Sequence, residues 1–414
     1  MLTPRCTRRQ LLRSGVGAVA GLALPTRFIL GKGVAQSARR VLVVIFQRGA
    51  VDGLNMVVPF REPEYYAQRP GIAVPPPGEP SGGLDLDDQF ALHPALASLQ
   101  PLFISGELAV VHACGSPDPT RSHFEAQDYM ETAVPGDKSV IDGWLNRYLQ
   151  VAVPQSESVF RGIAIASSTP RALAGRANAL AVSDLAVLSL GTGQRGAQTR
   201  AALATMYGGR SDLPAIVVGE TLRAVDFANR LNPDAYDPEN GAVYPSSVLG
   251  LQLRQIAQTI KSGVGLEVAF AEVWGWDTHL GQGASEGLLA NALRDLGDGI
   301  AALRTDLGEA FADVCVLTMS EFGRTVRENG TGGTDHGHGT AMLIAGGTVR
   351  GGTVYGTWPG LNEERLFEGR DLAVTTDFRA ICAEIVVRHL GFTALAEIFP
   401  DFVYDDSQRL GLIS

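Results

Sequence analysis

The 414-residue sequence lacks several features that would place it in a common class of protein. No Gly-x-Gly-x-x-Gly follows the first strand-like run, which argues against a dinucleotide-dependent oxidoreductase. Cysteine is scarce, and Cys6, Cys114, Cys315 and Cys382 show no Cys-x-x-Cys spacing, so no thiol redox motif is present. The last three lie in apolar runs and are predicted to be small buried side chains, although one disulfide between two of them remains open.

Basic residues are also fewer than acidic ones. The chain has 34 Lys+Arg against 44 Asp+Glu, a formal net charge of −10. Residues 1–38 contain six basic residues and no acidic one, so the remainder has 28 basic against 44 acidic residues, a net charge near −16. Such a chain is unsuited to nucleic acid, whose phosphates attract basic surfaces. The hydrophobic content of 45% is ordinary for a globular protein with a large core.

The apolar run near the N-terminus, residues 14–24, is too short to cross a bilayer of ~30 Å as a helix. The basic stretch Thr7-Arg8-Arg9-Gln10-Leu11-Leu12 precedes it, and small residues around Ala35 follow it. This layout predicts a twin-arginine signal peptide over residues 1–38. We therefore expect the export machinery as a partner, a periplasmic or secreted location, and no stable membrane span after cleavage. A short N-terminal helix of the mature fold and an uncleaved anchor are the alternatives.

Strand-like and helix-like runs alternate through the rest of the chain. Short, continuous apolar runs predict buried strands over residues 41–46, 108–114, 266–273 and 314–320. Helical periodicity predicts helices over residues 94–105, 284–303 and 376–390. This alternation indicates an α/β fold with a mostly parallel central sheet and helices on both faces. We interpret residues 39–414 as one large domain with surface insertions, such as the Pro/Gly-rich stretch at 75–83, although length alone admits two or three domains.

Polar segments follow the predicted strands, at the edge of the sheet where sites form in open α/β folds. Asp52 beside Gly53 suits a hard metal ion, but Asp-Gly is also a common turn. Ser122 and Glu125 have the spacing of a capping box at the start of a helix. A hydroxyl at a helix N-terminus, next to Arg121 and His123, could alternatively hold an anion or act as a nucleophile.

Three later segments contain further metal-binding side-chain types. Asp277 and His279, at i and i+2 in a loop, can reach one ion or can simply form a solvated turn. A strand end contains Glu321 and Arg324, and a Gly-rich loop, which is either a metal loop or a flexible linker, contains Asp335, His336 and His338. By contrast, three histidines lie in apolar contexts and are predicted to be structural: His93, His112 and His389.

The candidate ligands offer only nitrogen and oxygen atoms. Mixed imidazole and carboxylate donors suit Zn, Mn or Fe, with Mg or Ca at the hard end, and the sequence does not distinguish them. The number of donors exceeds the need of one tetrahedral zinc and would suffice for two bridged divalent ions. The seven candidates are Asp52, Asp277, His279, Glu321, Asp335, His336 and His338.

These segments, in this order, resemble the domain-of-unknown-function family numbered 1501, a distant relative of the alkaline phosphatase and sulfatase superfamily in which twin-arginine signals are common. The resemblance spans nearly the whole predicted mature chain. The residues that carry it are Arg48-Gly-Ala-Val-Asp52-Gly-Leu-Asn55, Arg121-Ser-His-Phe-Glu-Ala126, Trp276-Asp-Thr-His279, Ser320-Glu-Phe-Gly-Arg-Thr325 and Gly333-Thr-Asp-His-Gly337.

The resemblance implies an alkaline-phosphatase-like core with a one-metal or two-metal site. Asp52 matches the ligand after the first strand, and the Asp277/His279 and Asp335/His336 pairs match the later ligands. The helix-start nucleophile maps to Ser122, with Thr120 as second choice. Two departures matter: Pro117 occupies the nucleophile position of the sulfatase motif, so a formylglycine sulfatase is not indicated, and Glu321 stands where an Asp-His pair is expected, which leaves the second metal open.

Two functional hypotheses follow. In the first, the protein is an exported metal-dependent hydrolase of small anionic phosphate or sulfate esters, in which Ser122 attacks the ester or assists a metal-activated water. His123 is then a second catalytic residue, and Arg121 and Arg324 bind the nonbridging oxygens. In the second, the protein is a non-catalytic, metal-containing binding or structural protein on the same fold.

Overall fold

A computed structural model describes residues 40–153, 160–188, 193–405 and 407–414. The predicted signal peptide at 1–38 lies outside these residues. None of the helices in the described ranges has the length and apolar character needed to cross a membrane.

The described chain forms a central sheet, a small second sheet and helices around them. The strands are β1 (Val41–Arg48), β2 (Val57–Val58), β3 (Leu84–Asp85), β4 (Ala91–Leu92), β5 (Leu108–Gly115), β6 (Gly162–Ile165), β7 (Leu180–Val182), β8 (Val268–Trp274), β9 (Val314–Met319), β10 (Thr340–Gly346), β11 (Val354–Tyr355) and β12 (Thr376–Asp377). The α-helices are α1 (Gly53–Met56), α2 (Pro63–Gln68), α3 (Gln100–Ile104), α4 (His123–Thr132), α5 (Trp144–Val151), α6 (Gly193–Tyr207), α7 (Leu213–Leu231), α8 (Val248–Lys261), α9 (Leu288–Leu307) and α10 (Phe378–Glu384).

The central sheet has nine strands within the described residues, in the order β11-β5-β10-β9-β1-β8-β6-β7, with β12 also paired to β5. Its pairs are parallel except for the two that involve β10, which runs antiparallel to β5 and to β9. The second sheet, β2-β4-β3, is antiparallel. The predicted mixed α/β architecture with a mostly parallel sheet is therefore confirmed.

The central strand β1 shows why both faces of the sheet are covered. All eight of its residues are buried, as expected for a parallel strand with helices on either side. Its side chains alternate, so that Val43 and Ile45 join the apolar cluster formed with α8 and α9, whereas Leu42 and Val44 join the cluster formed with α5 and α10.

Two predicted helices are interrupted. Residues 94–105 form a 3-10 helix, Pro94–Leu99, followed by α3, because Pro101 has no N–H to continue the ladder. Residues 376–390 begin as β12, which pairs with β5, and Asp377 then caps α10 by accepting from the Arg379 N–H. A π-helical turn at Ile385–His389 follows. The predicted helix at 284–303 forms four residues later, as α9.

The cysteines outside the N-terminal segment are buried and free, as predicted for small apolar side chains. Burial raises the pKa of Cys114 and of Cys315 to about 12 and raises that of Cys382 as well. None of the three thiols forms a disulfide within the described structure.

Candidate metal centre

The polar segments named above meet at one edge of the central sheet. His123 begins the helix after β5, Asp277 and His279 follow β8, and Glu321 follows β9. His336 precedes β10, and because β10 is antiparallel to its neighbours, its first residue lies at the same edge as the last residues of β5 and β9. The topology thus brings together residues more than 200 positions apart in sequence.

Three imidazole rings and one carboxylate converge there. The Nε2 atom of His336 lies 2.9 Å from the Nε2 of His123 and 2.9 Å from the Nε2 of His279. Asp277 Oδ1 lies 3.0 Å from His279 Nε2 and 3.2 Å from His336 Nε2, and Asp277 Oδ2 lies 3.6 Å from His123 Nε2. The ligand atoms of His123, Asp277 and His336 are all within 4.8 Å of one another, and His279 lies beside the last two.

The outer nitrogen of each ring faces an acceptor. The Nδ1 of His123 lies 2.8 Å from Glu321 Oε1, and the Nδ1 of His279 lies 2.9 Å from Asp335 Oδ1. The Nδ1 of His336 lies 3.0 Å from the backbone oxygen of Arg121. Because ionised carboxylates and carbonyls only accept hydrogen bonds, each Nδ1 holds a proton, and in the neutral form of each ring the lone pair is on Nε2.

The inner face of the cluster therefore presents three Nε2 lone pairs and a carboxylate, whose Oδ1 also accepts from Arg324. Such a set fits a cation, and second partners that fix the ring tautomers are the usual surroundings of metal-binding histidines. The residues present thus fit a divalent metal ion.

Glu321 is the most enclosed acid of the group, with a fully buried side chain. It accepts hydrogen bonds from His123, from the Gly49 N–H at 2.9 Å, from Gln127 Nε2 at 2.8 Å and from Ser320 Oγ at 3.1 Å. Burial alone would raise the pKa of Glu321, but the bonds from His123 and Gln127 outweigh it, so its pKa is lowered. Glu321 thus orients His123 and does not lie among the four converging side chains.

Sequence reasoning missed Gln127. It lies four residues after His123 on α4, which places both side chains on one face of the helix. That spacing was the signal that could have found it.

Arg324 holds the carboxylate of the cluster. Its buried guanidinium donates to Asp277 Oδ1 at 2.7 Å and to the hydroxyl and carbonyl oxygens of Thr334. Burial would raise the pKa of Asp277, but the bond from Arg324 outweighs it and lowers the pKa. The hydrogen bond with Glu321 raises the pKa of His123, whereas burial and the neighbouring His123 lower that of His336.

Arg121 is likewise engaged within the fold. Its Nη2 lies 2.6 Å from Asp371 Oδ2 and 2.7 Å from Glu368 Oε2, while its carbonyl holds His336. In this arrangement both arginines predicted to bind substrate form ion pairs with carboxylates.

The structure does not bring Asp52 or His338 to the converging atoms. Asp52 is fully buried and forms an ion pair with Arg69 at 2.6 Å, and it also accepts from Gln282. The His338 ring packs against Phe367 with 4.4 Å between ring centroids. Asp335 acts on the outer nitrogen of His279, as described above.

The predicted capping box at α4 does not form. Ser122 is the N-cap residue, but its side chain makes no capping hydrogen bond. The Glu125 carboxylate, which would complete the box, instead accepts from Thr120 Oγ1 at 2.9 Å and pairs with Lys138. The competing partners of Glu125 explain the difference.

Fold and site together define a mixed α/β protein with a cluster of histidines and an aspartate suited to a metal ion. The chain belongs to the family described as "Protein of unknown function (DUF1501)", which matches residues 38–396. No curated protein matches the chain.

Several solved structures are similar to it at low identity. An alkaline phosphatase superfamily protein from Vibrio parahaemolyticus is 10% identical, with a TM-score of 0.33 over 77% of this chain, and the chain spans 63% of that protein's length. The PH0037 protein from Pyrococcus horikoshii is 12% identical, with a TM-score of 0.27 over 76% of this chain and 88% of its own. The phosphonate monoester hydrolase of Agrobacterium radiobacter is 11% identical, with a TM-score of 0.28 over 89% of this chain and 79% of its own.

Proposed function

We propose that this protein is a metal-dependent hydrolase of phosphate or sulfate esters, with one divalent ion held by His123, Asp277, His279 and His336. The observation that carries the proposal is the convergence of three imidazole Nε2 lone pairs and one carboxylate, each ring being fixed from outside by an acceptor. Three nitrogen ligands and one oxygen ligand suit Zn, Mn or Fe.

The charge around the cluster supports a single ion. Asp277, Glu321 and Asp335 contribute three negative charges and Arg324 one positive charge, which leaves −2 when the rings are neutral. One divalent cation balances that charge. The side chains of Asp277 and His279 are 43% and 42% exposed, so the site is open to solvent, as a catalytic metal site requires.

The chemistry divides between the ion and the chain. A divalent ion here would act as a Lewis acid on an ester oxygen. Ser122 immediately precedes His123, and its hydroxyl is not used to cap the helix, so we propose Ser122 as the nucleophile. The Thr120 hydroxyl donates to Glu125 and is the second choice. We reassign His123 from a catalytic residue to a metal ligand.

One observation favours the alternative, a non-catalytic metal-containing protein. Arg121 and Arg324 both form ion pairs with carboxylates, so neither offers an unpaired guanidinium to an anionic ester. In the hydrolase the metal ion would then supply most of the attraction for the substrate.

Metal analysis and an ester screen test the proposal. Elemental analysis of the folded protein purified without chelator is expected to give about one equivalent of divalent metal. Ser122→Ala is expected to keep that metal and to lose turnover of the phosphate or sulfate ester that the wild type cleaves. Ser139→Ala, an exposed serine in the loop after α4, is the matched control and should change neither.

Three results would decide against parts of the proposal. A wild type that stays metal-free after incubation with each candidate ion contradicts the hydrolase. Stoichiometric metal without turnover of any ester supports the non-catalytic alternative. If Ser122→Ala retains the turnover of the wild type, the nucleophile is water and not Ser122.

We further propose that residues 1–38 direct export of the folded protein by the twin-arginine route to the periplasm or beyond. The paired Arg8 and Arg9 before a short apolar run support this proposal. Replacing both by Lys in the full chain is expected to retain the protein in the cytoplasm, as measured by cell fractionation. Unchanged export would rule this route out.

A further inference from the structure

A buried chain of hydrogen bonds leads from the candidate metal centre into the core. Arg324 Nε donates to Thr334 Oγ1 at 3.1 Å, and Thr334 Oγ1 donates to Gln282 Oε1 at 2.9 Å. Gln282 Nε2 then donates to Asp52 Oδ2 at 2.6 Å. Each of the four residues is at most 1% exposed, so water does not compete for these bonds.

The partners fix the direction of every bond. Arginine only donates, so Thr334 accepts from Arg324 and its own hydroxyl proton is free to point to Gln282. Thr278 Oγ1 donates to the same Gln282 oxygen at 2.7 Å. The carboxylate of Asp52 accepts, so the amide nitrogen of Gln282 must face it. All protons in this series of hydrogen bonds therefore point from Arg324 towards Asp52. In that order each hydrogen bond polarises the next.

Asp52, the last residue in this series of hydrogen bonds, is held in place by Arg69. Arg69 donates to Asp52 Oδ2 at 2.6 Å and to Asn55 Oδ1 at 2.6 Å. It also donates to the backbone oxygens of Val326 and Thr325 at 2.8 Å each. Asp52 Oδ2 is therefore a fixed acceptor inside the fold, away from the converging ligand atoms.

We infer that Gln282 is a positioning residue for the metal ligand Asp277. This inference rests on the proposed metal site. Gln282 acts through Thr334 and Arg324, and Arg324 holds Asp277 Oδ1 at 2.7 Å. A glutamine is suited to this place because its amide accepts from two threonine hydroxyls on one side and donates to a carboxylate on the other. Without that amide, the two hydroxyls lose their shared acceptor and Arg324 is less firmly oriented.

Gln282→Met tests the inference, because methionine keeps the approximate length and loses both polar atoms. Gln258→Met is the matched control: Gln258 is also buried, at 5% exposed, and donates to the Leu231 carbonyl at 2.7 Å, away from the site. The readout is the affinity for Zn²⁺ alone, measured by competition with a chromogenic chelator. We expect Gln282→Met to bind Zn²⁺ about tenfold more weakly, at the lower end of the effect of outer partners of metal ligands, and Gln258→Met to bind as the wild type does.

A double-mutant cycle separates positioning from general destabilisation. In an Arg324→Gln background, Gln282→Met should cause no further loss of Zn²⁺ affinity, because its route to Asp277 is already broken. Equal losses in both backgrounds, or a Gln282→Met variant with wild-type affinity, would overturn the inference while leaving the proposed function intact. A wild type that binds no Zn²⁺ or other divalent ion would overturn both.

Discussion

Six of the seven histidines divide into two groups of three that differ in the partner of the second ring nitrogen. In the structural group both nitrogens find partners within the surrounding fold. His112, for example, has Nε2 2.9 Å from the Val57 carbonyl and Nδ1 accepting from the Ala113 N–H. In the site group one nitrogen is held by an acceptor and the other faces a second ring. The structural group is His93, His112 and His389, and the site group is His123, His279 and His336.

This contrast distinguishes the histidines that stabilise the fold from those of the candidate metal centre. A buried ring with two satisfied nitrogens is stable as the neutral form, and burial lowers the pKa of each structural ring to about 4. Where two Nε2 atoms lie 2.9 Å apart, both can present lone pairs only if a proton or a metal ion lies between them. The partner of the second nitrogen is thus more informative than the presence of histidine.

The largest expected effect comes from removing a ligand. His336 lies 2.9 Å from both other site rings, so His336→Gln is expected to reduce bound metal from about one equivalent to almost none, as measured by elemental analysis. His338→Gln, two residues away, is the control and should keep the metal, because the His338 ring packs on Phe367. The reverse pattern would mean that the metal lies near His338.

The structural group of histidines should make the free energy of unfolding depend on pH in acid. The folded pKa of His112 is about 4, against its usual 6.5, so between these values the unfolded state binds a proton that the folded state does not. The free energy of unfolding should therefore fall as the pH falls from about 6.5 to about 4, by ~1.4 kcal/mol per pH unit for this ring. Urea unfolding at several pH values should give a shallower dependence for His112→Gln. Identical slopes would show that this ring is not the proton acceptor.

A smaller effect is expected from the acid behind His123. Glu321→Gln places an amide against donors from Gly49, Gln127 and Ser320, so the orientation of His123 is disturbed. We expect metal affinity to fall about 10- to 100-fold, as measured by chelator competition. Glu125→Gln, on the helix α4 that also contains His123, should not change the metal affinity. An equal loss of metal affinity in both variants would indicate a general disturbance of α4.

The smallest effect is expected from Asp335→Asn. Asp335 holds His279 from outside in the way that Glu321 holds His123, but its side chain is 58% exposed whereas that of Glu321 is fully buried. Asparagine retains an oxygen that can accept from Nδ1 of His279, and water can replace the hydrogen bonds of the lost carboxylate oxygen. We expect a loss of metal affinity below about tenfold by the same titration. A loss as large as that of Glu321→Gln would show that exposure does not weaken this contact.

Local patterns predicted the strands and the edge where the site forms. Continuous apolar runs identified β1, β5, β8 and β9, because parallel strands are buried on both faces. The same strand ends led to the site group of histidines and to Asp277. These signals are readable within about ten residues of sequence.

Long-range partners could not be predicted from such patterns. Asp52 follows β1 as a metal ligand could, but Arg69 and Gln282, the latter 230 residues away, both donate to its Oδ2. Ser122 and Glu125 have capping-box spacing, but Lys138 pairs with Glu125 from the loop that follows α4. In both cases the side chain has the expected type, and the three-dimensional fold decides which partner reaches it.

The antiparallel direction of β10 also has a consequence for access to the candidate metal centre. Residues 320–339 leave the end of β9 and return to the start of β10 at the same edge, so one hairpin-like segment begins and ends beside the candidate ligands. Its tip lies against the site, since Asn329 Nδ2 donates to the His279 carbonyl at 2.9 Å. Insertions or deletions in the exposed tip would change how much of the candidate metal centre it covers. They would not alter the order of the strands. Such changes would alter the size of the molecules that can reach the candidate metal centre, while its side chains stay in place.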